Sequence, residues 1–353
     1  MSRYLSARRA GLTPYTPGEQ PRDAQYVKLN TNESPFPPPQ SVIDAATAEA
    51  GRLQLYSDPD CTDLVAAAAA HFGVSPAQLI MTNGSDEVLD LAFQAFADDA
   101  HPLAFPDISY GFYPVFAARN RIPYTEIPLK ADFSIDPADY IGGGRTIVIA
   151  NPNAPTGKAL PRDVIAQIVR TNPDSVVIVD EAYVDFGGES AVPLVAQFDN
   201  LLVTQTFSKS RSLAGARLGF GIGAPSLIAD LHTVRCATNP YNVNRMTAAA
   251  GVAALHEQPY FDRCCAQIVE NRAYTAAALR ARGFTVLDSC ANFVFAQSPE
   301  LDGAFLYREL KARGVLVRHF DKPRIANFNR ITIGTRAQMD TLLAAIDAIR
   351  AAQ

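Results

Sequence analysis

Short, continuously apolar runs occur between about residues 79 and 224, separated by stretches of helical character, and they limit the folds that the chain can adopt. In order, the runs read QLIM, PLAF, RTIVIA, SVVIVD, LLVTQ and LGFGIG. Runs without polar alternation are typical of strands buried on both faces. The pattern predicts an α/β fold with a mostly parallel central sheet flanked by helices. Right-handed crossovers would align the carboxyl ends of the strands at one edge, where ligands bind.

The carboxy-terminal part of the chain has a different pattern. Apolar residues recur at helical spacing over residues 259–282 and again at the end of the chain. Between these two stretches lie the strand-like segments FTVLDS, NFVFA, VLVRHF and RITIG. A chain of 353 residues also exceeds the size of one hydrophobic core. We therefore predict a large domain at 41–238 and a smaller α+β domain at 239–353. Residues 1–40 would form an amino-terminal arm that contributes to the small domain.

Composition excludes several classes of protein. With 48% hydrophobic and 19% charged residues, the chain is typical of folded globular proteins. Its net charge of −5, without a basic block, argues against binding to nucleic acid or a membrane surface and favours small-molecule partners. The amino terminus lacks an apolar signal segment, and no stretch is long and apolar enough to span a bilayer. We expect a cytoplasmic protein.

The cysteines and histidines indicate neither a disulfide framework nor a metal site. Five cysteines occur without a CxxC pair, which favours reduced thiols. Five histidines are scattered, and no HExxH or similar ligand spacing occurs. The predicted site therefore contains no metal.

A turn of small residues follows the first apolar run. Gly84, Ser85 and Asp86 come directly before a helical stretch. Unpaired amides at the start of a helix attract an anion, and glycine lets the backbone approach it closely. The turn predicts a phosphate site. The alternative is an ordinary helix start capped by the side chain of Ser85 or Asp86.

Further polar groups follow other predicted strands. Asp180 ends SVVIVD, with Tyr183 close behind it, and Lys209 follows LLVTQ. A lone lysine is most simply a surface residue, but an acid at the end of a buried strand is costly unless it has a cationic partner.

Together these groups match what pyridoxal phosphate requires. Its aldehyde needs an amine for a Schiff base, and its ring nitrogen needs an acid to hold its proton. Its phosphate needs amides, hydroxyls and a guanidinium, which Thr206, Ser208 and Arg217 could supply alongside the turn at 84–86.

A family resemblance covers nearly the whole chain. It is carried, in order, by LTPYTPG, KLNTNESPFPP, LYSDPD, NGSDE, PDISYGFYPVF, NPNAPTG, VDEAYVDF, SKSRSLAGARLGF, VLVRHF and RITIGTR. On these segments the chain resembles the pyridoxal-phosphate-dependent aminotransferases of classes I and II, and most closely the histidinol-phosphate group. The resemblance implies the aspartate-aminotransferase-like fold, which is fold type I of pyridoxal-phosphate enzymes.

The resemblance also implies the roles of the catalytic residues. Lys209 would form the Schiff base and move a proton between the substrate α-carbon and the cofactor C4′. Asp180 would pair with the ring nitrogen, Tyr183 would bond the 3-oxygen, and Tyr110 would stack on the ring.

The remaining cofactor contacts follow from the same resemblance. Backbone amides of Gly84, Ser85 and Asp86 would bind the phosphate, together with Ser208 and Arg217. Tyr56 would reach the phosphate in the neighbouring subunit, which implies a homodimer with shared active sites.

One position departs from the family pattern. The family commonly has asparagine before Pro-Thr-Gly, where its amide bonds the cofactor 3-oxygen, whereas this chain has Ala154. Either Asn153 substitutes for the missing amide or Tyr183 supports the oxygen alone, and the sequence leaves both open.

Two arginines point to the substrate. By resemblance, Arg330 would bind a carboxylate, Arg318 would bind the phosphate of histidinol phosphate, and Tyr15 would lie beside them. The implied reaction is ping-pong transamination between histidinol phosphate and 2-oxoglutarate in histidine biosynthesis. The alternatives are a lyase similar to threonine-phosphate decarboxylase, an aminotransferase for another amino acid such as an aromatic one, and a binding protein without activity.

Overall fold

The computed structural model describes residues 2–21 and 24–352. Met1 and Gln353, which end the predicted domains, and residues 22–23 of the predicted arm lie outside the described residues. The strands are β1 Val27–Lys28, β2 Leu79–Thr82, β3 Leu103–Pro106, β4 Tyr124–Ile127, β5 Thr146–Ala150, β6 Val177–Asp180, β7 Leu201–Thr206, β8 Gly219–Gly223, β9 Thr285–Val286, β10 Phe293–Gln297, β11 Val315–Leu316, β12 Arg318–His319 and β13 Phe328–Thr332. The α-helices are α1 Gln40–Ala50, α2 Thr62–Phe72, α3 Ser85–Phe96, α4 Tyr113–Asn120, α5 Arg162–Arg170, α6 Pro225–Thr238, α7 Arg245–His256, α8 Gln258–Ala281, α9 Gly303–Ala312 and α10 Arg336–Ala351.

The central sheet has seven strands in the order β2-β8-β7-β6-β5-β3-β4. All neighbouring strands from β7 to β4 are parallel, whereas β8 is antiparallel to both β2 and β7. The predicted α/β fold with a mostly parallel sheet is confirmed, and all six apolar runs contain strands. Strand β4 was not among the predicted strands, because three of its four residues are exposed and it therefore has no continuous apolar run.

Burial on both faces explains the apolar runs. In β5, Ile147 and Ile149 belong to the hydrophobic core on one face of the sheet, while Val148 belongs to the core on the other. The neighbouring strand β6 divides its side chains in the same way. Successive side chains of a strand point to opposite faces, so a sheet covered on both sides needs apolar residues at every position.

The orientation of the strands assembles one polar edge. Because β2 and β7 are both antiparallel to β8, they run parallel to each other. The carboxyl ends of β2, β3, β5, β6 and β7 therefore lie along the same edge, and β8 begins there. In register, Gly219 of β8 lies between Thr82 and Thr206, the last residues of its two neighbours.

A second group of elements forms around the carboxy-terminal half. Antiparallel strands in the order β12-β13-β10-β9 form a four-stranded sheet, and β1 pairs in parallel with β11. The predicted strand VLVRHF is divided into β11 and β12 on either side of Val317. The pairing of β1 with β11 joins the amino-terminal segment to the elements that were predicted to form the small domain.

Helix α8 contributes side chains to two different hydrophobic cores. Phe261 near its start packs in the core of the seven-stranded sheet, whereas Ile268 and Leu279 pack in the core beside the four-stranded sheet. Helix α7 also contributes Ala254 to the first core. The domain boundary predicted at 238–239 stays a prediction, and the change of core comes later in the chain, between Phe261 and Ile268.

Several classes of site are absent from residues 2–21 and 24–352. No helix among them combines the length and apolarity that a bilayer crossing requires. No three metal-ligating side chains cluster in this part of the chain. All five cysteines are free thiols.

Gly219 is predicted to be essential for packing at the polar edge. A Cβ atom there would overlap the backbone of Gly84 and Ser85. We expect Gly219→Ala to lower the free energy of unfolding by about 1–3 kcal/mol, the usual cost of overpacking. Chemical denaturation followed by circular dichroism measures this change. Gly51→Ala is the matched control, because nothing lies within 4 Å of a Cβ there; equal effects in both variants would contradict the prediction.

Candidate active site

A cavity of about 470 Å³ lies at the carboxyl edge of the central sheet. Most of the residues selected from the sequence line it, although they come from distant segments. They are Tyr15, Ser85, Asp86, Tyr110, Asp180, Tyr183, Thr206, Ser208, Lys209, Arg217, Arg318 and Arg330. Gly84 lies directly beneath Arg217. Tyr56 and Asn153 are not among the lining residues.

Lys209 reaches the cavity from the loop after β7. Its Nζ donates a hydrogen bond to the carbonyl oxygen of Thr31 at 3.2 Å and lies 5.9 Å from the ring centre of Tyr183. Burial, assisted by the positive charge of Arg330, lowers the pKa of Lys209 to about 8. A lysine with this pKa is partly neutral near physiological pH, and the neutral amine is the nucleophilic form.

Asp180 is buried at the end of β6, with 5% of its surface exposed. Its Oδ2 accepts a hydrogen bond from the hydroxyl of Tyr113 at 2.8 Å, while its Oδ1 has no partner. Burial raises the pKa of Asp180 to about 6, against the opposing effect of the Tyr113 hydrogen bond. A buried carboxylate oxygen without a donor is costly. A protonated ring nitrogen in the cavity would supply that donor, so Asp180 fits the pyridine ring of pyridoxal phosphate.

The predicted phosphate-binding turn has the features of an anion site. Helix α3 begins at Ser85 after Gly84, and no side chain caps its first amides. The alternative of an ordinary start capped by Ser85 or Asp86 is therefore wrong. Gly84 has φ of +80°, and a Cβ there would lie 2.5 Å from Nη2 of Arg217. Nη1 of Arg217 also donates to Oγ of Ser208 at 3.4 Å. Free amides, a hydroxyl and a guanidinium thus converge, as a phosphate requires.

The side chains of Asp86 and Thr206, beside this turn, both bond to other groups of the protein. The carboxylate of Asp86 accepts a hydrogen bond from the hydroxyl of Tyr110 at 2.9 Å and forms a 3.5 Å ion pair with Arg217. Only the backbone amide of Asp86 therefore suits an anion. Thr206 Oγ1 donates to Leu218 O at 3.2 Å and accepts from Ser208 N at 3.1 Å, so it holds the loop that presents Ser208.

Asn153 is directed away from the cavity. Its Nδ2 donates to the carbonyl of Ile108 and the hydroxyl of Thr156, both at 2.9 Å, and its Oδ1 accepts from Ser109 at 2.7 Å. Ala154 lines the cavity instead. The amide of Asn153 is thus fully occupied in holding its own loop, and the geometry does not support the prediction that Asn153 contacts the cofactor.

Two residues that sequence analysis did not select contact the predicted catalytic groups. Tyr113 bonds Asp180, and Asn32 Nδ2 donates to the hydroxyl of Tyr183 at 2.9 Å. Both lie in segments that carry the family resemblance, but a single sequence contains no signal that pairs residues 67 and 151 positions apart.

Arg318 and Arg330 enter the cavity from adjacent antiparallel strands, where they are directly opposite in register. Arg330 Nη2 donates to Asn30 O at 3.0 Å, and the guanidinium of Arg318 donates to the carbonyls of Thr16 and Pro17 at 3.0 and 3.2 Å. Neither arginine forms an ion pair with a carboxylate of residues 2–21 or 24–352. Two guanidinium groups without counter-ions in one cavity favour an anionic ligand.

The two remaining predicted tyrosines occupy different surroundings. Tyr15 stacks on Phe112 at 4.1 Å between ring centres and lies 6.3 Å from Tyr110, so it covers one side of the cavity. Tyr56 is 80% exposed and stacks on Tyr241 at 4.6 Å, outside the cavity.

Comparison with known proteins agrees with this geometry. Residues 24–346 match the family model described as aminotransferase class I and II. Histidinol-phosphate aminotransferase 1 of Bordetella parapertussis is 51% identical over 353 residues, covering 99% of each chain. The crystal structure of histidinol-phosphate aminotransferase from Sinorhizobium meliloti in complex with pyridoxal 5′-phosphate is 25% identical, with a TM-score of 0.89, and the match covers 100% of this chain and 99% of that chain.

A further solved structure bears on the fold alone. A mutant aspartate aminotransferase of Thermus thermophilus is 20% identical, with a TM-score of 0.81, and the match covers 98% of this chain and 99% of that one. The predicted aspartate-aminotransferase-like fold is confirmed. From the family match over most of its length and the relative of 51% identity, the chain belongs to the class I and II aminotransferases.

Proposed function

We propose that this protein is a pyridoxal-phosphate-dependent aminotransferase that moves the amino group of histidinol phosphate to 2-oxoglutarate in histidine biosynthesis. The observation that carries the proposal is a cavity in which a partly neutral lysine, an unpartnered buried carboxylate oxygen and two unneutralised arginines lie together. The choice of substrate is supported by relatives named histidinol-phosphate aminotransferase, which are 51% and 49% identical to this chain over nearly their full length.

Different residues would hold different parts of the cofactor. When bound, pyridoxal phosphate supplies an aldehyde that condenses with amines and a ring that withdraws electrons from the substrate α-carbon. Asp180 would accept the ring N–H through Oδ1, and Tyr183 would donate its hydroxyl to the 3-oxygen. Arg217 and the free amides at the start of α3 would hold the phosphate. Lys209 would take the proton from the substrate α-carbon and return it.

The two arginines would hold the substrates. Arg330 is the deeper of the two and has one guanidinium nitrogen bonded to the backbone, so the remaining donors would hold the carboxylate of 2-oxoglutarate or glutamate. Arg318 would bind the phosphate of histidinol phosphate with two parallel bonds, as planar guanidinium groups do. Tyr15 lies over the same side of the cavity and would close it around the donor.

Subunit pairing belongs to the same proposal. Tyr56 lies outside the cavity and presents an exposed ring beside exposed Leu53 and Leu55. A homodimer would bury these apolar side chains and bring Tyr56 to the phosphate in the partner's cavity. Sedimentation and cofactor titration of the wild-type protein and a Tyr56→Phe variant would test both parts. We expect the cofactor dissociation constant to rise in the variant while the dimer persists.

A donor screen tests the reaction itself. Purified enzyme is incubated with 2-oxoglutarate and candidate amino donors while glutamate and carbon dioxide are followed in parallel. We expect glutamate from histidinol phosphate without release of gas. Carbon dioxide from a phosphorylated amino acid would instead support a decarboxylase, and glutamate from aromatic amino acids alone would identify a different aminotransferase.

The pKa of Lys209 predicts how cofactor capture depends on pH. Below about pH 8 the amine is mostly protonated and cannot attack an aldehyde, whereas above it the neutral form dominates. We expect the rate of pyridoxal phosphate capture by the apoenzyme to rise about tenfold between pH 7 and pH 9 and then level off. Stopped-flow absorbance measures the rate. A rate that keeps rising through pH 10 would show an ordinary lysine.

Two variants provide the controls for this measurement. Arg330→Gln removes a positive charge that lowers the pKa of Lys209, so the rise should move to higher pH. Arg336→Gln removes an exposed charge on α10 and should leave the profile unchanged. Lys209→Ala should not form the borohydride-reducible linkage.

The charge of Asp180 is predicted to act mainly on turnover. Asp180→Asn keeps the shape and an acceptor for Tyr113 but cannot hold the proton of the ring nitrogen as an ion pair. We expect kcat to fall about a hundredfold or more, while KM for the donor changes little. Tyr113→Phe is the control, since it removes the hydrogen bond but keeps the charge, and its loss should be smaller. A loss below tenfold for Asp180→Asn, about 1.4 kcal/mol, would contradict the role.

Arg318 is predicted to distinguish donors with a phosphate from those without one. Arg318→Ala should raise KM for histidinol phosphate about ten- to a hundredfold, the effect of losing charged hydrogen bonds. Arg318→Lys should recover only part, because an ammonium cannot form two parallel bonds. Glutamate should be affected less, whereas Arg330→Ala should impair both half-reactions in single-turnover measurements.

The control for this comparison is Arg313→Ala, which removes an arginine that pairs with Glu309 of the same helix end, away from the cavity lining. It should leave both half-reactions unchanged. Equal losses for both donors in Arg318→Ala would mean that Arg318 holds the amino-terminal segment or any anion.

A further inference from the structure

Three consecutive residues, Asn30, Thr31 and Asn32, contact three of the proposed functional groups. The carbonyl of Asn30 accepts from Arg330, and the carbonyl of Thr31 accepts from Lys209. The third contact comes from a side chain, because Nδ2 of Asn32 donates to the hydroxyl of Tyr183 at 2.9 Å. Two of the three contacts use backbone carbonyls, which a substitution in this segment leaves in place. The contact from the side chain of Asn32 can be removed by substituting that residue.

The amide of Asn32 has one defined orientation. Its backbone N–H donates to Oγ1 of Thr332 at 3.0 Å, so the hydroxyl proton of Thr332 is free to be donated. That proton goes to Oδ1 of Asn32, at 2.9 Å. With Oδ1 serving as acceptor, Nδ2 is the atom that faces Tyr183. The carbonyl of Asn32 also accepts from Asn292 at 3.0 Å, which holds the backbone in place.

This orientation determines what the hydroxyl of Tyr183 can do. Its oxygen already accepts a hydrogen bond from Asn32, so its own proton is available for the cavity. Pro152, Ala154 and Ala182 also line the cavity, and their side chains carry no hydrogen-bond donor. The hydrogen bond from Asn32 therefore leaves the hydroxyl proton of Tyr183 free for an acceptor in the cavity.

We propose that Asn32 is a positioning residue that makes Tyr183 donate its hydroxyl proton to the 3-oxygen of the cofactor, in place of the amide that Ala154 lacks. The inference rests on the proposed function, since it requires pyridoxal phosphate to be joined to Lys209. Through Thr332, which shares β13 with Arg330, it also links the donor at the cofactor to the strand that holds the substrate carboxylate.

Aspartate is the informative replacement at position 32. Asn32 has φ of +57°, a left-handed conformation that Asn, Asp and Gly adopt more readily than other residues. A carboxylate would accept hydrogen bonds from both Thr332 and Tyr183, so Asn32→Asp keeps buried partners while reversing the bond to Tyr183. The proton of Tyr183 would then face the introduced carboxylate instead of the cavity. Asn32→Gly keeps the backbone conformation and removes the side chain.

The test is a pH titration of the visible absorption of the holoenzyme. A donor to the 3-oxygen stabilises its negative charge and weakens its hold on the proton of the nitrogen that joins Lys209 to the cofactor. Loss of that donor should therefore raise the pKa of the chromophore. We expect Asn32→Asp to raise it by about one unit or more, a tenfold change in proton affinity, and Asn32→Gly to raise it less.

A double-mutant cycle separates positioning from a structural effect. In a Tyr183→Phe background the hydroxyl is gone, so Asn32→Asp should cause little further rise. Asn329→Asp is the matched control, because Asn329 is also buried and lies on β13, but its amide bonds Gly303 instead of Tyr183. It should leave the chromophore unchanged.

The outcomes that overturn the inference are distinct from failure of the proposed function. An unchanged pKa in Asn32→Asp, or a rise of equal size with and without the Tyr183 hydroxyl, would show that Asn32 does not act through Tyr183. Absence of a visible chromophore in the wild-type protein with pyridoxal phosphate would contradict the proposed function itself.

Discussion

The parallel alignment of β2, β3, β5, β6 and β7 is the constraint on which the active site depends. These strands end at one edge of the sheet, so the loops that follow them meet although they are far apart in sequence. The predicted phosphate-binding turn follows β2, Asp180 ends β6, and Lys209 follows β7. The antiparallel strand β8 fits between β2 and β7 because Gly219 allows its backbone to approach the start of α3 closely.

Burial at this edge of the sheet shifts the pKa values of two residues in the cavity. Burial moves the pKa of Lys209 down to about 8 and the pKa of Asp180 up to about 6, so burial disfavours the charged form that each group would have in water. The free oxygen of Asp180 and the unneutralised arginines have the same character. Each lacks a partner that the cofactor or substrate would supply under the proposed function. For the buried Asp180 oxygen, binding would also relieve the cost of an unpaired polar atom.

The segment at residues 30–32 connects the two groups of elements across the cavity. It follows β1, which pairs with β11, and it contacts Lys209 and Tyr183 from the central sheet as well as Arg330 from the four-stranded sheet. Its contacts use two backbone carbonyls and one amide side chain. Lys209, Tyr183 and Arg330 are thus all held by one short piece of chain.

The amino-acid sequence alone predicts the strands of the central sheet, because burial on both faces requires continuous apolar runs. It also predicts the residue types of the site, because a cofactor with an aldehyde, a ring nitrogen and a phosphate requires an amine, an acid and an anion-binding turn. It could not reveal β4, whose exposed residues lack that pattern, or the change of core within α8. The directions of three side chains depend on tertiary packing: Asn153 turns away from the cavity, whereas Asn32 bonds Tyr183 and Tyr113 bonds Asp180. Those contacts join residues far apart in sequence, and their geometry depends on how the strands and loops pack.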